Sequence, residues 1–487
     1  MSRCDTLRPV GERGNLEKIS TARHNLGFYR SVAVTATYVC SELLGDLECV
    51  IWAALQEVVL RHPVLCCGIV DEDTRSPTFI RLAAIDLRRN VLFKSSEAGD
   101  GKEFSNCLEG EHSKLWPDLQ FRPGWRLILM KPQGSRDGER APTDQSGKRL
   151  EIDVLFVWHH ALCDGLSGAA FHHSLLKELR RISCQSPPAN QSPVIQIPCS
   201  VQLSPPIEKL MEFPTTWAFI GRQLWGIFAP LWLCGRPATI NPEWIDTENS
   251  LPSIDDYKSR VRLISVPAEG LECLRVECRK ATVTLTALLQ GVIGVSLMEL
   301  DAIGFTGHVP YSMRRFTGTP MSEMVDQVSE MCVNYDSPLI ANLTRNPRDA
   351  ERIWETARHF QDVMKGEMAR APVDNPLSML PYLSDYHNFF RKRLGKPNGT
   401  FEVSNLGEFK NAEGQAARKG QWGIERMIFS QSAMAVGPAL GFNCISVENG
   451  PLMISLTWLD GIIEDQQLES LASKVEMKLK TLSLTKS

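Results

Sequence analysis

Residues 155–168 read LFVWHHALCDGLSG, and the fold of the chain can be worked out from this segment. The apolar run 152–157 is too short for a buried helix, and its β-branched and aromatic residues are typical of an interior strand. After the glycine of the motif, apolar residues recur at helical spacing. We therefore expect His159, His160 and Asp164 to lie on a corner between a strand and a helix.

The length and charge of the chain limit its organisation and its partners. At 487 residues it is long for one hydrophobic core, so two domains of roughly 200 to 250 residues are expected. The hydrophobic fraction of 43% and the charged fraction of 23% are those of a globular protein. The net charge is -4 and there is no basic block, which argues against nucleic acid as a partner.

The amino terminus and the cysteines indicate the compartment. Residues 1–20 are polar and lack the apolar core of a secretory signal. The 14 cysteines are scattered, with no CxxC pair and no spacing that suits a metal. We therefore expect reduced thiols and a cytoplasmic location.

A stretch rich in proline and serine, 184–214, divides the chain into two lobes. We place the boundary at residue 208, which gives an N-terminal lobe, 1–208, with the HHALCDG motif and a C-terminal lobe, 209–487, with the SNLG segment. Helices and strands are mixed through both halves, which favours two α/β lobes over an all-helical or barrel fold. The predicted strands are 31–39, 64–70, 125–130, 152–157, 257–266, 309–315, 401–404, 426–432, 443–447 and 452–458. The predicted helices are 43–60, the segment after Asp164, 284–300, 353–368 and 465–482, and 7–30 is expected to be irregular.

The most apolar stretch of the chain, 217–234, reads WAFIGRQLWGIFAPLWLC. Arg222, Gln223 and Pro230 interrupt it, so it falls short of the roughly 20 apolar residues that span a bilayer. One interpretation is a helix that packs against the lobes. The other is peripheral contact with an internal membrane through its Trp and Phe side chains.

Three kinds of chemistry fit a corner that carries His160 and Asp164. An imidazole that titrates near neutrality beside a carboxylate suits general acid–base catalysis. A core histidine hydrogen-bonded to a loop aspartate is the commoner, structural role of such a pair. A metal site that includes His159 is disfavoured, because adjacent residues on a strand point to opposite faces, and we expect no metal.

The motifs around the corner narrow this choice. HHALCDG matches the HHxxxDG signature of the CoA-dependent acyltransferase superfamily, which includes chloramphenicol acetyltransferase and peptide-synthetase condensation domains. Across nearly the whole chain, further segments resemble landmarks of the fungal alcohol acetyltransferase family, in the order of that family. These segments are STARHNLGFYRSVAVTATY at 20–38, LRHPVL at 60–65, WRLILMKP at 125–132, VSNLGEF at 403–409 and SLTWLDGIIED at 455–465.

The resemblance implies two α/β sandwich lobes, like those of chloramphenicol acetyltransferase, that meet at an active-site tunnel. It implies an O-acetyltransferase that uses acetyl-CoA as a cosubstrate, with no bound cofactor. We also expect the protein to be a monomer. The acceptor would be a small alcohol or a hydroxyl on a fungal specialised metabolite such as a terpenoid or polyketide. His160 would be the general base of a direct transfer without an acyl-enzyme, and Cys163 would only pack in the loop.

The same resemblance suggests roles for the other motif residues. Asp164 would point away from the imidazole and pair with Arg314, with Arg315 as the rival, since a bidentate guanidinium suits a fixed carboxylate. Gly165 would let the loop turn tightly and leave room for pantetheine. His159 would be structural.

An oxyanion that forms during acyl transfer needs a hydrogen-bond donor. Ser430 and Ser432 share one face of the expected strand 426–432, so both are candidates, and Asn405 in the SNLG segment is a third. His24 either faces the tunnel or has a packing role. Two alternatives stay open: a condensation-type acyltransferase with an acyl donor on a carrier protein, and a non-catalytic binder of the same fold.

Overall fold

The fold is seen in a computed structural model that describes residues 13–41, 45–97, 101–133, 150–184, 191–228, 245, 254–300, 302, 304–395, 399–411 and 422–484. The helices α1 to α13 are Asn15–Asn25, Leu47–Arg61, Gly101–His112, Gly165–Ser183, Ile207–Leu210, Trp217–Phe228, Ala268–Ala281, Leu285–Met298, Arg314–Thr317, Ser337–Leu343, Asp349–Arg370, Tyr386–Arg391 and Asp465–Leu484. The strands β1 to β15 are Val32–Cys40, Cys67–Val70, Thr78–Arg81, Ala84–Asp86, Val91–Glu97, Trp125–Gln133, Leu150–Trp158, Val194–Gln196, Ser259–Val266, Phe305–Ser312, Val328–Tyr335, Phe401–Phe409, Trp422–Gln431, Leu440–Val447 and Leu452–Leu459.

Two mixed sheets organise the molecule. The first has five strands in the order β13-β1-β7-β6-β5, and the second has six in the order β11-β10-β12-β14-β15-β9. A large hydrophobic core surrounds each sheet: helices α2 and α4 contribute to the first core, and α7, α8, α11 and α13 contribute to the second. The predicted mixed α/β fold is therefore confirmed.

The strand β13 crosses the predicted division of the chain at residue 208. It comes from the C-terminal segment, yet it pairs with β1 in antiparallel register from Val32 opposite Gln431 to Cys40 opposite Trp422. It also packs against β14 and β15 of the second sheet, where Ser455 Oγ donates a hydrogen bond to the carbonyl of Phe429 at 2.7 Å. The boundary at residue 208 stays a prediction, and this strand does not follow it.

The motif corner forms where β7 meets α4. Residues 154–158 of β7 are buried, which agrees with the interior strand expected there. Asp164 caps α4, because its side chain accepts a hydrogen bond from the backbone N–H of Ser167 at 3.1 Å. Gly168, one turn into α4, lets the helix approach the sheet closely, since a Cβ atom there would lie 2.5 Å from both Trp158 and Val34.

Three predictions of local structure were wrong. The segment 7–30 is not irregular throughout, because α1 occupies Asn15–Asn25 and buries polar side chains such as Thr21 and His24 that give no apolar pattern. The expected strand 64–70 begins only at Cys67, since Pro63–Cys66 forms a 3₁₀ turn. The expected strand 309–315 ends at Ser312, whose hydroxyl accepts a hydrogen bond from the backbone of Arg314 and turns the chain into α9.

The apolar stretch 217–234 is described only in part. The helix α6 covers Trp217–Phe228, with Trp217 exposed and Phe219 buried, and residues 229–234 lie outside the described residues. Across the described ranges, no single helix is long and apolar enough to cross a membrane, and the one pair that passes by length and composition, α7 with α8, bends by 95°. Packing against the lobes and peripheral membrane contact both stay predictions.

Candidate active site

The two histidines of the corner have different surroundings. His159 is fully buried, and its Nδ1 accepts a hydrogen bond from the backbone N–H of Ala161 at 3.0 Å. Its neutral ring therefore carries the proton on Nε2, which donates to Glu72 Oε1 at 3.0 Å. Burial, together with the nearby His24, lowers the pKa of His159 to about 4. His159 is thus a neutral hydrogen-bonding residue of the interior.

His24 completes a cluster with Glu72 and His159. His24 Nδ1 lies 2.7 Å from Glu72 Oε1, and the two imidazole rings are 4.3 Å apart. Burial raises the pKa of the Glu72 carboxyl, but hydrogen bonds from His159 and His24 outweigh burial and leave that pKa below its usual value. Glu72 is therefore a half-buried carboxylate held by two N–H donors.

The three ligand-type atoms of this cluster lie within 4.8 Å of one another, a spacing that a metal ion could bridge. A neutral imidazole bound to a metal carries its proton on the other ring nitrogen, which then donates to an acceptor. Here the other nitrogen faces a backbone N–H in both rings, from Ala161 for His159 and from Trp116 for His24. This pattern favours hydrogen bonds over metal ligation.

His160 lies beside two side chains that the sequence analysis did not select. Its ring centroid is 5.5 Å from that of Tyr29, and its Nδ1 is 3.6 Å from Asp326 Oδ2. The His160 side chain is 13% exposed, whereas the Asp326 side chain is 1% exposed. Of the two motif histidines, only His160 is accessible to a substrate.

Asp164 does not contact His160 through a hydrogen bond but binds Arg314. Arg314 Nη1 donates to Asp164 Oδ2 at 2.5 Å and Nη2 donates to Oδ1 at 3.1 Å, with both side chains at most 5% exposed. Arg315 instead lies over the ring of Phe316. The structure thus brings Arg314, and not Arg315, to the motif aspartate.

The Asp164–Arg314 pair also holds the segment 323–327. Arg314 Nη2 donates to the carbonyls of Glu323 and Val325, and the N–H of Gln327 donates to Asp164 Oδ2 at 3.3 Å. The backbone N–H of Asp164 in turn donates to the carbonyl of Val325 at 3.1 Å. This segment contains Asp326, so the pair fixes the backbone on either side of it.

Gly165 has a packing role in the structure. It is the first residue of α4, and a Cβ atom there would lie 2.9 Å from Leu406 and 3.0 Å from the ring of Phe429. Its φ is not in the left-handed region, so the turn does not require glycine for its backbone conformation. The absence of a Cβ atom lets Leu406 of β12 and Phe429 of β13 pack against the motif, while room for pantetheine stays a prediction.

Ser430 and Ser432 both have hydrogen-bond partners inside the protein, Ser430 on α3 and Ser432 on the segment before β1. Ser430 Oγ is 2.8 Å from Nε2 of the buried His112, whose Nδ1 is 2.8 Å from Ser31 Oγ. Ser432 Oγ accepts hydrogen bonds from the backbone N–H groups of Arg30 and Ser31. Ser430 therefore links β13 to α3, and Ser432 links the end of β13 to the start of β1. Their role as oxyanion donors stays an untested prediction.

Gln431, between these serines, faces the other side of the sheet. Its Oε1 accepts a hydrogen bond of 2.5 Å from the hydroxyl of Tyr29, the residue beside His160. Its Nε2 donates to Glu402 Oε1 at 3.0 Å and to Asn443 Oδ1 at 2.7 Å. A buried chain of hydrogen bonds thus connects the surroundings of His160 to strands β12 and β14 of the second sheet.

We expect Glu402→Gln to raise the melting temperature at pH 8 and to leave it nearly unchanged at pH 5. Burial, with the charge of Glu330 adding to it, raises the pKa of Glu402 from 4.5 to about 7. Between these values the unfolded chain releases the proton while the folded chain keeps it, so wild-type stability falls as pH rises through this window. The variant should gain as much as about 3 kcal/mol at pH 8.

The control for this prediction is Glu448→Gln, a change at an exposed carboxylate. Thermal melts of both variants and the wild type at pH 5 and pH 8 provide the comparison. Equal shifts for Glu402→Gln at the two pH values would contradict the expected protonation of Glu402.

Asn405 and Cys163 have local partners. Asn405 Oδ1 accepts a hydrogen bond from the N–H of Gly407 at 2.9 Å, and its Nδ2 donates to Thr286 Oγ1 at 3.2 Å. Gly407 has a φ of 82°, so this bond supports a turn inside β12 that suits glycine. Cys163 is fully buried, and burial raises the pKa of its thiol well above the usual value, which makes it a poor nucleophile.

The chain is similar to known proteins over most of its length. Residues 93–479 match the model of the alcohol acetyltransferase family. The chain belongs to the alcohol acetyltransferase family. The resemblance inferred from the motifs is thereby confirmed, and the protein is an acyltransferase of that family.

Individual alcohol acetyltransferases and solved structures match this chain over nearly their whole length. The chain is 28% identical over 480 residues to FCK4, a probable alcohol acetyltransferase of Fusarium pseudograminearum, with 96% of this chain and 94% of the relative covered. TRI3, a trichothecene 15-O-acetyltransferase of Fusarium sporotrichioides, superposes with a TM-score of 0.70 at 14% identity, over 98% of this chain and 97% of that one. The first condensation domain of the calcium-dependent antibiotic synthetase superposes with a TM-score of 0.58 at 13% identity, over 99% and 97%. The structural matches show the two-lobe fold.

Four residues near the motif corner were not identified by the sequence analysis. They are Tyr29, Glu72, Asp326 and Gln431. Two of them lie in segments that the sequence analysis had already singled out, Tyr29 in the family-like segment 20–38 and Gln431 in the expected strand 426–432. Glu72 and Asp326 lie outside any motif, and only the folded chain brings them to the corner. Nothing in the sequence distinguishes these two carboxylates from the others as neighbours of a motif histidine.

Proposed function

We propose that the protein transfers the acetyl group of acetyl-CoA to an alcohol hydroxyl, with His160 as the general base. The hydroxyl oxygen attacks the thioester carbonyl, so that a C–O bond forms and the C–S bond breaks. The proton passes from the hydroxyl to His160 and then to the sulfur of CoA, which leaves as the thiol. The observation that carries the proposal is the partial exposure of His160 beside a neutral, fully buried His159.

Direct transfer without an acyl-enzyme is part of the proposal. The nucleophile-type side chains of the corner in the described chain are Cys163 and Ser167. Cys163 is buried with a raised thiol pKa, and the Ser167 hydroxyl is 2.9 Å from Asp164 Oδ1 and 3.1 Å from the carbonyl of Val325. A base that deprotonates the acceptor needs neither side chain.

We propose a hydroxyl of a fungal specialised metabolite as the acceptor. The support is the similarity over nearly the full chain to FCK4 and the fold shared with TRI3, which is named for 15-O-acetylation of a trichothecene. The apolar side chains that shape an acceptor pocket follow no motif. The acceptor is therefore identified among terpenoids, polyketides and small alcohols by the assay below.

The test is a thiol-release assay with purified protein and acetyl-CoA against a panel from isoamyl alcohol to hydroxylated terpenoids and polyketides. We expect CoA release that depends on one class of acceptor, with an acetyl ester detected by mass spectrometry. Parallel reactions with an acetylated carrier protein test the alternative donor. Transfer from the carrier alone, or binding of ligands without transfer from either donor, would overturn the proposal.

A further inference from the structure

We propose that Asp326 is the positioning residue of His160. In this arrangement its carboxylate accepts the Nδ1–H of the imidazole, which leaves Nε2 unprotonated and directed to the acceptor hydroxyl. The inference rests on the proposed function of His160 as the base. It assigns to Asp326 the orienting contact that the motif aspartate, Asp164, does not make.

The contact between the two side chains supports this assignment. Asp326 Oδ2 lies 3.6 Å from His160 Nδ1, beyond hydrogen-bond distance but within reach of a small rotation of the ring. Among the described residues, neither oxygen of Asp326 has a hydrogen-bond partner, and neither has the buried Nδ1 of His160. An unpaired buried carboxylate is costly, so a contact with the imidazole N–H satisfies both groups. Such catalytic hydrogen bonds are often long in the absence of substrate.

A small cavity lies beside Asp326. A cavity of about 40 Å³, enough for one or two water molecules, is lined by Asp326, Gln327, Glu17 and Leu162 among others. Burial, with the charge of Asp326 next in effect, raises the pKa of Glu17 to about 8. Glu17 is therefore protonated at neutral pH, while Asp326 Oδ2 lies 3.6 Å from His160 Nδ1.

The backbone around Asp326 is fixed by the motif itself. The carbonyl of Val325, before it, accepts hydrogen bonds from Arg314 Nη2 at 3.3 Å and from the N–H of Asp164 at 3.1 Å. The N–H of Val325 donates to Ser167 Oγ at 3.2 Å. The N–H of Gln327, after it, donates to Asp164 Oδ2 at 3.3 Å. Asp164 has no oxygen left for the imidazole, because Arg314, Ser167 and Gln327 occupy both. The motif aspartate thus acts on His160 by holding the segment that carries Asp326.

The first test is Asp326→Asn in the full chain, with Asp362→Asn as a control that removes a charge at an exposed position. We expect kcat for acetyl transfer to fall on the order of 10- to 100-fold, since contacting groups are coupled to that extent. The KM for acetyl-CoA should stay within about twofold, because an effect on the base alone leaves ground-state binding intact. A variant with wild-type kcat, or one that loses only affinity, would overturn the inference.

A double variant separates positioning from a general structural role. If Asp326 acts through the imidazole, His160→Ala combined with Asp326→Asn should be no slower than His160→Ala alone. Independent losses that multiply in the double variant would show that Asp326 does not act through His160. If His160→Ala retains activity, the proposed function itself fails, so the two failures are distinguishable.

Nitrogen-15 spectra of histidine-labelled protein give a readout that does not depend on whether Asp326→Asn folds. We expect the signals of His160, assigned by their loss in His160→Ala, to show a proton on Nδ1 and an unprotonated Nε2 in the wild-type protein. The opposite neutral tautomer in the wild type would overturn the inference, even if Asp326→Asn fails to fold.

Discussion

His160→Ala is expected to lower kcat for acetyl transfer by about 100- to 10,000-fold, the range by which a positioned general base accelerates proton transfer. The imidazole is the partly exposed histidine of the corner, and the nearby nucleophile-type side chains are buried or hydrogen-bonded. Affinity for acetyl-CoA should change little, because the base interacts with the hydroxyl proton rather than with the bulk of the cosubstrate. Steady-state kinetics with the acceptor found by thiol release provide the measurement.

His173→Ala is the matched control, since His173 lies on the exposed face of the motif helix α4. It removes an imidazole of the same size from a position away from the corner, and we expect kcat near the wild-type value. Unchanged melting temperatures for both variants would show that the loss in His160→Ala is chemical. Equal activity of His160→Ala and the wild type would remove His160 from the mechanism.

Arg314→Met is expected to reduce the free energy of unfolding by about 3 to 5 kcal/mol, the cost of leaving one partner of a buried ion pair uncompensated. Asp164 would stay buried with only Ser167 and the backbone of Gln327 as donors. The segment 323–327 would also lose its bonds to the guanidinium, so activity should fall with stability. Denaturant midpoints and thermal melts measure the loss.

Two further variants define what Arg314 contributes. Arg314→Lys keeps the charge but loses the two-pronged geometry, so its cost should lie between wild type and Arg314→Met. Asp164→Asn combined with Arg314→Met should cost less than the two single changes together, because no charge is left unpaired. Strictly additive losses would show that the pair is not coupled.

The local elements around the motif could be predicted because short-range patterns determine them. The strand β7 and the helix α4 follow from apolar periodicity. The helix α1 was missed, since it buries Thr21 and His24 through tertiary contacts rather than along an apolar stripe. Its contacts exist only once distant segments have folded against it.

The site was predictable only where the motif itself supplies the residue. Asp164 and Arg314 were chosen because a carboxylate in a family motif suggested an arginine, and the structure brings these two together. Asp326 could not be found, because it lies in an irregular segment far along the chain from His160. Gln431 was passed over for its neighbours Ser430 and Ser432, since alternation shows which residues share a face but not which face meets the corner.

The place of β13 beside β1 affects how the chain folds as it is synthesised. The N-terminal strands emerge from the ribosome early, but β1 lacks one neighbour until residues 422–431 have been translated. At ~5–20 residues per second this delay lasts on the order of tens of seconds, during which β1 presents an unpaired edge. A nascent chain stalled before β13 should therefore need chaperone protection that the full-length chain no longer requires.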